Sequence, residues 1–183
     1  MNMNWPNRLS LIRIASVPVI TLLLVLNQPW AMYAALFLFI FAAITDFVDG
    51  HIARKYNLVT NFGKFIDPVA DKLLVLSAMI MISWYDILPA WIVVAVLFRE
   101  LAVDGLRLVA VEQGRVIAAG KLGKIKTTCQ LTMIIAHLVY LAHFPLLHIL
   151  AGWLLIPTQI AVLIITVWSG LDYFLHNKEV LHG

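Results

Sequence analysis

The chain has 183 residues, of which 62% are hydrophobic and only 13% are charged, and its mean hydropathy is +0.93. A soluble domain carries about a quarter charged residues, so this composition excludes an ordinary soluble domain and predicts an integral membrane protein. The formal net charge of +3 does not indicate nucleic-acid binding, because the basic residues are not clustered on a soluble module, and the single cysteine, Cys129, excludes an intrachain disulfide.

Six apolar stretches follow one another along the chain and predict six transmembrane helices. They cover residues 14–26, 30–45, 73–85, 87–98, 131–147 and 149–171. The first ends without the small residues of a signal-peptide cleavage site, so we interpret it as a retained membrane segment. The second and third reach the ~20 residues needed to span a membrane only if their helices run over roughly 30–54 and 67–85. Four acids then belong to membrane helices: Asp46, Asp49, Asp67 and Asp71.

The basic residues predict how these helices are oriented. Turn-forming residues separate the stretches at 27–29, 57–63, 86–89, 114–123 and 144–145. If six helices alternate in direction, all 13 Lys and Arg residues fall at one end of the bundle. The positive-inside rule places that end in the cytoplasm. We therefore expect an all-α integral membrane protein with one domain over residues 1–183.

The most informative stretch runs from Asp46 to Asp71 and reads D-x2-D-G-x2-A-R-x8-G-x3-D-x3-D. On a helix, positions 46, 49, 50, 53 and 54 form one stripe, and positions 67 and 71 lie one turn apart on the next helix. Carboxylates brought together from neighbouring helices repel each other unless a cation lies between them. Hard oxygen ligands favour Mg²⁺, Mn²⁺ or Ca²⁺ over zinc, and two such ions would suit phosphoryl transfer.

Some of these acids also have structural explanations. Asp67 followed by Pro68 is a good N-cap and N1 pair for a helix, and Asp46 could pair with Arg54 on its own helix face. A cation transporter would also place acids within the membrane. The small residues and the arginine beside the acids favour a nucleotide-diphosphate site over an ion path.

The stretch resembles the signature of the CDP-alcohol phosphotransferase family, and every defining position is filled. The resemblance implies the family's six-helix fold over essentially the whole chain and two divalent metal ions, Mg²⁺ or Mn²⁺. It assigns metal binding to Asp46, Asp49, Asp67 and Asp71, and it makes Asp71 the proposed general base as well. It assigns CDP binding to Asn7, Asp49, Gly50, Ala53, Arg54 and Gly63.

Three further stretches are similar to the phosphatidylglycerophosphate synthases, a branch of that family. They are Pro6–Arg13, where Ser10 replaces the usual threonine, Arg99–Arg107 and Gly123–Gln130. Arg99 and Arg107 share one helical stripe, and cations there could bind the phosphate of glycerol 3-phosphate, although positive-inside charge is an alternative explanation for any single one of them. The predicted acceptor-phosphate residues are Arg99, Arg107, Lys124 and Lys126.

The resemblance implies transfer of the phosphatidyl group of CDP-diacylglycerol to sn-glycerol 3-phosphate, with release of CMP. Inositol phosphate, serine and phosphatidylglycerol stay open as alternative acceptors. We expect the enzyme to lie in a bacterial inner membrane with its active site facing the cytoplasm. The resemblance further implies a homodimer.

Overall fold

The computed structural model describes the backbone of residues 5–55, 61–115, 117 and 120–180, and it leaves undescribed the side chains of residues 5–7, 46–55, 61–62, 64–65 and 121. The described residues form six α-helices followed by a short 3-10 turn, with no strand among them. This confirms the all-α prediction and the number of helices. The helices are α1 (Trp5–Leu26), α2 (Pro29–Lys55), α3 (Asn61–Trp84), α4 (Ala90–Glu112), α5 (Lys121–Leu141) and α6 (Leu147–His176).

All six helices are long enough to cross a membrane, but they differ in composition. Their lengths of 21 to 30 residues correspond to about 31–45 Å, against a hydrocarbon core of about 30 Å. Arg8–Leu26 in α1 and Leu147–His176 in α6 are also apolar enough to be candidate spans. α2 is apolar only over Pro29–Thr45. The crossing of the membrane by all six helices therefore stays a prediction.

Hydrogen bonds between α1 and α3 show that these two helices run in the same direction. The Ser10 hydroxyl donates to Asp67 Oδ1 (2.5 Å) near the start of both helices. The Tyr85 hydroxyl, just after α3, donates to the Leu24 carbonyl oxygen (2.5 Å) near the end of α1. α2 follows α1 after only a short connection and packs against it. It therefore runs in the opposite direction.

The three connections that lack basic residues lie at the same end of the bundle. Gln159 of α6 donates to the Ile87 carbonyl oxygen (2.7 Å) and to His137 Nε2 of α5 (2.9 Å), which joins the α3–α4 connection to the last turns of α5. The rings of Tyr33 and Phe144 meet there as well, with centroids 5.7 Å apart. The other end is named the basic end, because the Lys and Arg residues lie toward it, with Lys72 and Arg99 nearest the middle of their helices. This arrangement agrees with the alternation that the basic residues predicted.

The bundle carries large apolar side chains on its outside and several charged ones inside. Phe98 and Trp153 are 73% and 78% exposed, whereas Arg13 and Lys126 are only 1% and 6% exposed. Extensive exposed apolar surface marks contact with a membrane or with a partner, and charged residues of membrane proteins face the bundle interior. The distribution supports the predicted membrane protein.

The apolar core lies away from the basic end. Its largest buried members include Leu24, Phe39, Met79, Ile134 and Leu138, contributed by α1, α2, α3 and α5. A second, smaller cluster closes α4 against α6 at the basic end; it contains Val103, Leu106, Ala110, Tyr173 and Val180. Polar residues occupy the region between these two clusters.

The bounds of α2 and α3 settle two expectations about the motif. α2 extends to Lys55, so the charged residues belong to the helix, as the length argument predicted. α3 begins at Asn61 and contains Pro68, so the interpretation of Asp67 as the N-cap of a helix starting at Pro68 is wrong. Proline inside a helix removes one backbone hydrogen bond and crowds the carbonyl of residue i−4, but membrane helices tolerate it because neighbouring groups satisfy the freed carbonyl, and α3 runs through Pro68. Gly63, predicted in a turn, likewise lies in the first turn of α3.

Candidate active site

A cavity of about 380 Å³ lies between α3, α4, α5 and α6 toward the basic end. Val75, Leu76 and Val96 supply its apolar wall. Its charged lining consists of the acids Asp67, Asp71, Glu100 and Asp172 and the cations Lys72, Arg99, Arg107, Lys124 and Lys126. One cavity therefore brings carboxylates that suit a metal ion together with cations that suit an anionic substrate.

The two motif aspartates of α3 line this cavity and are held in place by α1. Asp67 Oδ1 accepts a hydrogen bond from the Ser10 hydroxyl at 2.5 Å. Asp71 Oδ1 accepts one from Arg13 Nη1 at 2.9 Å. The Arg13 side chain is fully buried, whereas that of Asp71 is 46% exposed. α1 therefore orients both carboxylates while Asp71 stays accessible from the cavity.

The sequence prediction did not give Ser10 or Arg13 this role. The available signal was their i, i+3 spacing, which places both on one face of α1. Which acids they would contact could not be read from the chain, because the contact depends on α1 packing against α3.

The remaining motif residues fall on α2 and at the start of α1. Asp46, Asp49, Gly50, Ala53 and Arg54 lie on the last turns of α2, and their side chains lie outside the described ones, as does that of Asn7 on α1. Gly63 is buried on α3. Among the side chains that the structure does describe, no three His, Cys, Asp or Glu residues form a metal-binding group. The convergence of four carboxylates therefore stays a prediction.

Asp67 and Asp71 fit a hard divalent ion by the chemistry of their donors. Their carboxylates lie one helical turn apart and face the same cavity. A carboxylate has two oxygens and about four lone-pair sites, so accepting one hydrogen bond at Oδ1 is compatible with metal coordination. Oxygen donors without sulfur or imidazole suit Mg²⁺ or Mn²⁺.

All four predicted acceptor-phosphate cations line the same cavity as Asp67 and Asp71. Arg99 and Arg107 are contributed by α4, and Lys124 and Lys126 by the first turns of α5. They differ in exposure, since Lys126 is buried and Lys124 is exposed. The four cations thus face one common space.

Two of the cavity cations are paired with acids of α4 that the sequence prediction missed. Lys126 Nζ forms an ion pair with Glu100 Oε1, and Lys72 Nζ forms one with Asp104 Oδ2. Arg99 Nη1 lies 3.6 Å from the same Glu100 oxygen. The usable signal was that ionisable residues inside a membrane bundle pair with one another. These pairs link α4 to α3 and α5 and compensate charge that would otherwise be costly to bury.

A tyrosine of α6 positions Arg107. Arg107 Nε donates to the Tyr173 hydroxyl at 2.9 Å, and the guanidinium carbon lies 5.4 Å from the centroid of the same ring. Such a contact holds the planar guanidinium in one orientation. Sequence reasoning missed Tyr173, because nothing in an apolar helix indicates which residue faces an arginine on another helix.

Comparison with known proteins finds a family match and several relatives. Residues 3–168 match the CDP-alcohol phosphatidyltransferase family. The chain is 43% identical to a CDP-diacylglycerol–glycerol-3-phosphate 3-phosphatidyltransferase of Bacillus subtilis, with 97% of each chain covered. It is 36% identical to the protein of that name from Escherichia coli K12, with 94% of each covered, and 46% identical to the one from Rickettsia bellii, over 70% of this chain and 71% of the relative. This chain belongs to the CDP-alcohol phosphatidyltransferase family.

Proposed function

We propose that this protein transfers the phosphatidyl group of CDP-diacylglycerol to sn-glycerol 3-phosphate, forming phosphatidylglycerophosphate and CMP. The observation that carries the proposal is the cavity in which Asp67 and Asp71 face Arg99, Arg107, Lys124 and Lys126. The carboxylates would hold divalent ions that neutralise an activated lipid diphosphate. The cations would bind the phosphate of a phosphorylated acceptor. The names of relatives that match nearly the full chain state the same reaction.

Residues of α1, α2 and α3 bind the CDP-lipid in this proposal. Glycine and alanine allow a nucleotide to approach the backbone, and arginine can donate bidentate hydrogen bonds to diphosphate oxygens. The proposed CDP-binding residues are Asn7, Asp49, Gly50, Ala53, Arg54 and Gly63. Two divalent ions, Mg²⁺ or Mn²⁺, held by Asp46, Asp49, Asp67 and Asp71, would supply charge neutralisation of the diphosphate.

Asp71 acts as the general base. Its carboxylate accepts the proton of the primary hydroxyl of glycerol 3-phosphate, and that oxygen attacks the phosphorus bonded to the diacylglycerol oxygen. The bond between this phosphorus and the oxygen shared with CMP breaks, and CMP leaves with that oxygen. Arg13 keeps the Asp71 carboxylate oriented through a 2.9 Å contact. Positioning and charge stabilisation supply most of the rate gain, and proton transfer supplies less.

The cations of α4 and α5 bind the acceptor phosphate. Arg99 and Arg107 can each present a planar set of donors to phosphate oxygens. Tyr173 holds Arg107, and Glu100 holds Lys126, so these cations are oriented before the acceptor arrives. Binding of a phosphate there places the acceptor hydroxyl in the same cavity as Asp71.

The reaction can be tested by measuring CMP release from purified protein in detergent with CDP-diacylglycerol and Mg²⁺. Glycerol 3-phosphate, inositol phosphate, serine and phosphatidylglycerol are offered separately. We expect release with glycerol 3-phosphate alone, abolished by EDTA. Release only with another acceptor would contradict the acceptor assignment but not the CDP and metal assignments. No release with any acceptor, from folded and metal-loaded protein, would contradict the reaction class.

We further propose an inner-membrane location, an active site on the cytoplasmic side and a homodimer. The clustering of Lys and Arg at one end of the bundle supports the cytoplasmic side, and the inner-membrane location rests on the family resemblance. The homodimer rests on the family resemblance. Light scattering in detergent, corrected for bound detergent, measures the protein mass and would contradict the dimer if it gave one chain of 20.6 kDa.

A further inference from the structure

Gln130 is a buried polar residue of the cavity to which the mechanism above assigns no role. It lies on α5, one helical turn after Lys126, and is only 2% exposed. Its side chain lines the cavity together with Arg99. Within the part of the chain that the structure describes, Gln130 Nε2 has no hydrogen-bond partner. Buried side-chain donors are normally satisfied, so this amide, which lacks a partner among the described residues, is a candidate donor to a bound ligand.

Arg99 shows the same feature on the facing helix. Its Nε is buried and, among the described residues, has no hydrogen-bond partner, while its Nη1 lies 3.6 Å from Glu100. Two unsatisfied donors, one on α4 and one on α5, therefore line one cavity. A ligand that complements these two donors must supply hydrogen-bond acceptors, and an anion does so.

A second buried glutamine shows how this residue type is used for structure in the same protein. Gln159 of α6 is 8% exposed, and its Nε2 donates to the Ile87 carbonyl oxygen (2.7 Å) and to His137 Nε2 (2.9 Å). Its Nε2 is satisfied by the protein and joins the helices away from the basic end. Gln130 makes no such contact through its Nε2, so a structural role does not account for it in the same way.

We propose that Gln130 Nε2, together with Arg99 Nε, donates hydrogen bonds to the phosphate group of the acceptor alcohol and thereby selects a phosphorylated acceptor. The inference rests on the proposed function, because it assumes that the acceptor enters this cavity. A phosphate offers several acceptor oxygens, and hydrogen bonds to charged acceptors are the stronger kind. A neutral amide adds a directional donor without adding repulsion to Arg99 and Lys126.

The test compares Gln130→Leu and Gln130→Glu with a matched control, Gln159→Leu. Each purified protein is assayed for KM of glycerol 3-phosphate and of CDP-diacylglycerol. Thermal unfolding in detergent is then measured without ligand and with glycerol 3-phosphate, inorganic phosphate or glycerol. Unfolding provides a binding measurement that does not depend on turnover.

We expect Gln130→Leu to raise KM for glycerol 3-phosphate by about ten- to a hundredfold, as loss of a hydrogen bond to a charged group predicts. KM for CDP-diacylglycerol should change less than about twofold by the same reasoning. The rise in Tm caused by glycerol 3-phosphate or inorganic phosphate should shrink, and Tm without ligand should not fall. Gln130→Glu should lose more acceptor affinity, since its carboxylate repels phosphate. Gln159→Leu should lower Tm without a selective effect on acceptor KM.

The outcomes separate this inference from the proposed function. If the wild-type protein responds to glycerol 3-phosphate and Gln130→Leu responds equally, the inference is wrong and the proposed function stands. A Gln130→Leu protein that loses the response to glycerol 3-phosphate but keeps the response to inorganic phosphate also contradicts it, because the contact would then be to a glycerol hydroxyl. Failure of the wild-type protein to use glycerol 3-phosphate would contradict both.

Discussion

Two side chains of α1 orient the α3 carboxylates toward the cavity through hydrogen bonds. Ser10 contacts Asp67, and Arg13 contacts Asp71, in each case through Oδ1. A carboxylate that must bind a metal or accept a proton works only in a limited range of orientations, and packed hydrogen-bonding neighbours supply that restriction. Residues that never touch substrate are therefore expected to affect turnover.

Replacing the Ser10 hydroxyl should weaken the metal site. Ser10→Ala removes the hydrogen bond to Asp67, so the divalent-ion concentration for half-maximal activity should rise by roughly ten- to a hundredfold, as for other bonds to charged groups. Ser10→Thr keeps the hydroxyl and should stay near wild type. Ser77→Ala is the matched control, because the Ser77 hydroxyl donates only to the Leu74 carbonyl oxygen of its own helix. An unchanged activation curve for Ser10→Ala would contradict the orienting role.

Removing the charge of Asp71 should abolish catalysis while leaving lipid binding largely intact. Asp71→Asn has the same shape but cannot accept the acceptor's proton, so CMP release should fall by about 10²–10⁴-fold. Binding of CDP-diacylglycerol is measured separately on the same protein. Asp86→Asn, in the connection between α3 and α4 at a positive φ of 59° that asparagine tolerates, should keep wild-type turnover. Near-normal release by Asp71→Asn would remove Asp71 as the base.

At the level of elements, the packing of α4 against α6 sets the position of Arg99. A Cβ built on Gly170 would lie 3.2 Å from Arg99 Cγ, whereas one on Gly152 would lie 3.5 Å from the Tyr140 ring. The first distance requires the arginine to move by a few tenths of an ångström, and the second is an ordinary contact. Absence of a side chain at position 170 therefore lets the arginine stem lie against α6.

This geometry predicts different results for two glycine substitutions in one helix. Gly170→Ala should raise KM for glycerol 3-phosphate by about three- to tenfold, because small displacements of a binding group are costly. Gly152→Ala should leave kinetics unchanged. Both should gain roughly 0.5–1 kcal/mol of helix propensity, so the contrast lies in KM and not in stability. Equal KM values for the two variants would show that Arg99 is not constrained by α6.

At the scale of the whole molecule, charge and apolar surface are arranged opposite to those of a soluble protein. Arg13 and Lys126 are buried, while Phe98 and Trp153 lie on the outside. Burial of these charges is tolerable because each has a carboxylate partner, Asp71 for Arg13 and Glu100 for Lys126. The apolar exterior and the internal polar cavity are consistent with the proposed site inside the bundle toward its basic end.

The orientation of the bundle can be tested with single cysteines in a Cys129→Ala background. A membrane-impermeant maleimide added to intact cells should label Gln28→Cys and Leu146→Cys, which lie in connections at the end without basic residues. It should label Arg115→Cys and Lys178→Cys only after the membrane is opened, since positive-inside topology places them in the cytoplasm. The reverse pattern would contradict the cytoplasmic active site.

Most of the fold could be predicted because the membrane constrains it so strongly. Apolar stretches, turn residues and Lys and Arg positions predicted six alternating helices, and the extent of α2 followed from the length that a span requires. The prediction failed locally at Asp67 and Pro68. A good N-cap sequence states only a preference, and the extension of α3 back to Asn61 overrides it.

Some features of the candidate site could be predicted from spacing within one helix, whereas others depend on how the helices pack. Helical periodicity alone placed Asp67 with Asp71, and Arg99 with Arg107, on common stripes, because 3.6 residues per turn is a property of one segment. The partners Arg13, Glu100, Asp104 and Tyr173 depend on which helices are neighbours. Chain spacing carries no information about contacts between residues 26 to 66 positions apart.

Composition, spacing and charge predicted a bundle of apolar helices with its Lys and Arg residues toward one end, because these are properties of single segments, whereas the phosphatidyl transfer was implied by the family resemblance of the motif. Only the tertiary structure brought the carboxylates of α3 and the cations of α4 and α5 to one cavity. It also paired the buried cations with acids and revealed that Gln130 Nε2 has no hydrogen-bond partner among the described residues. The reason is physical: hydrogen-bond satisfaction and charge compensation inside a bundle are relations between helices, and they exist only once the helices are packed.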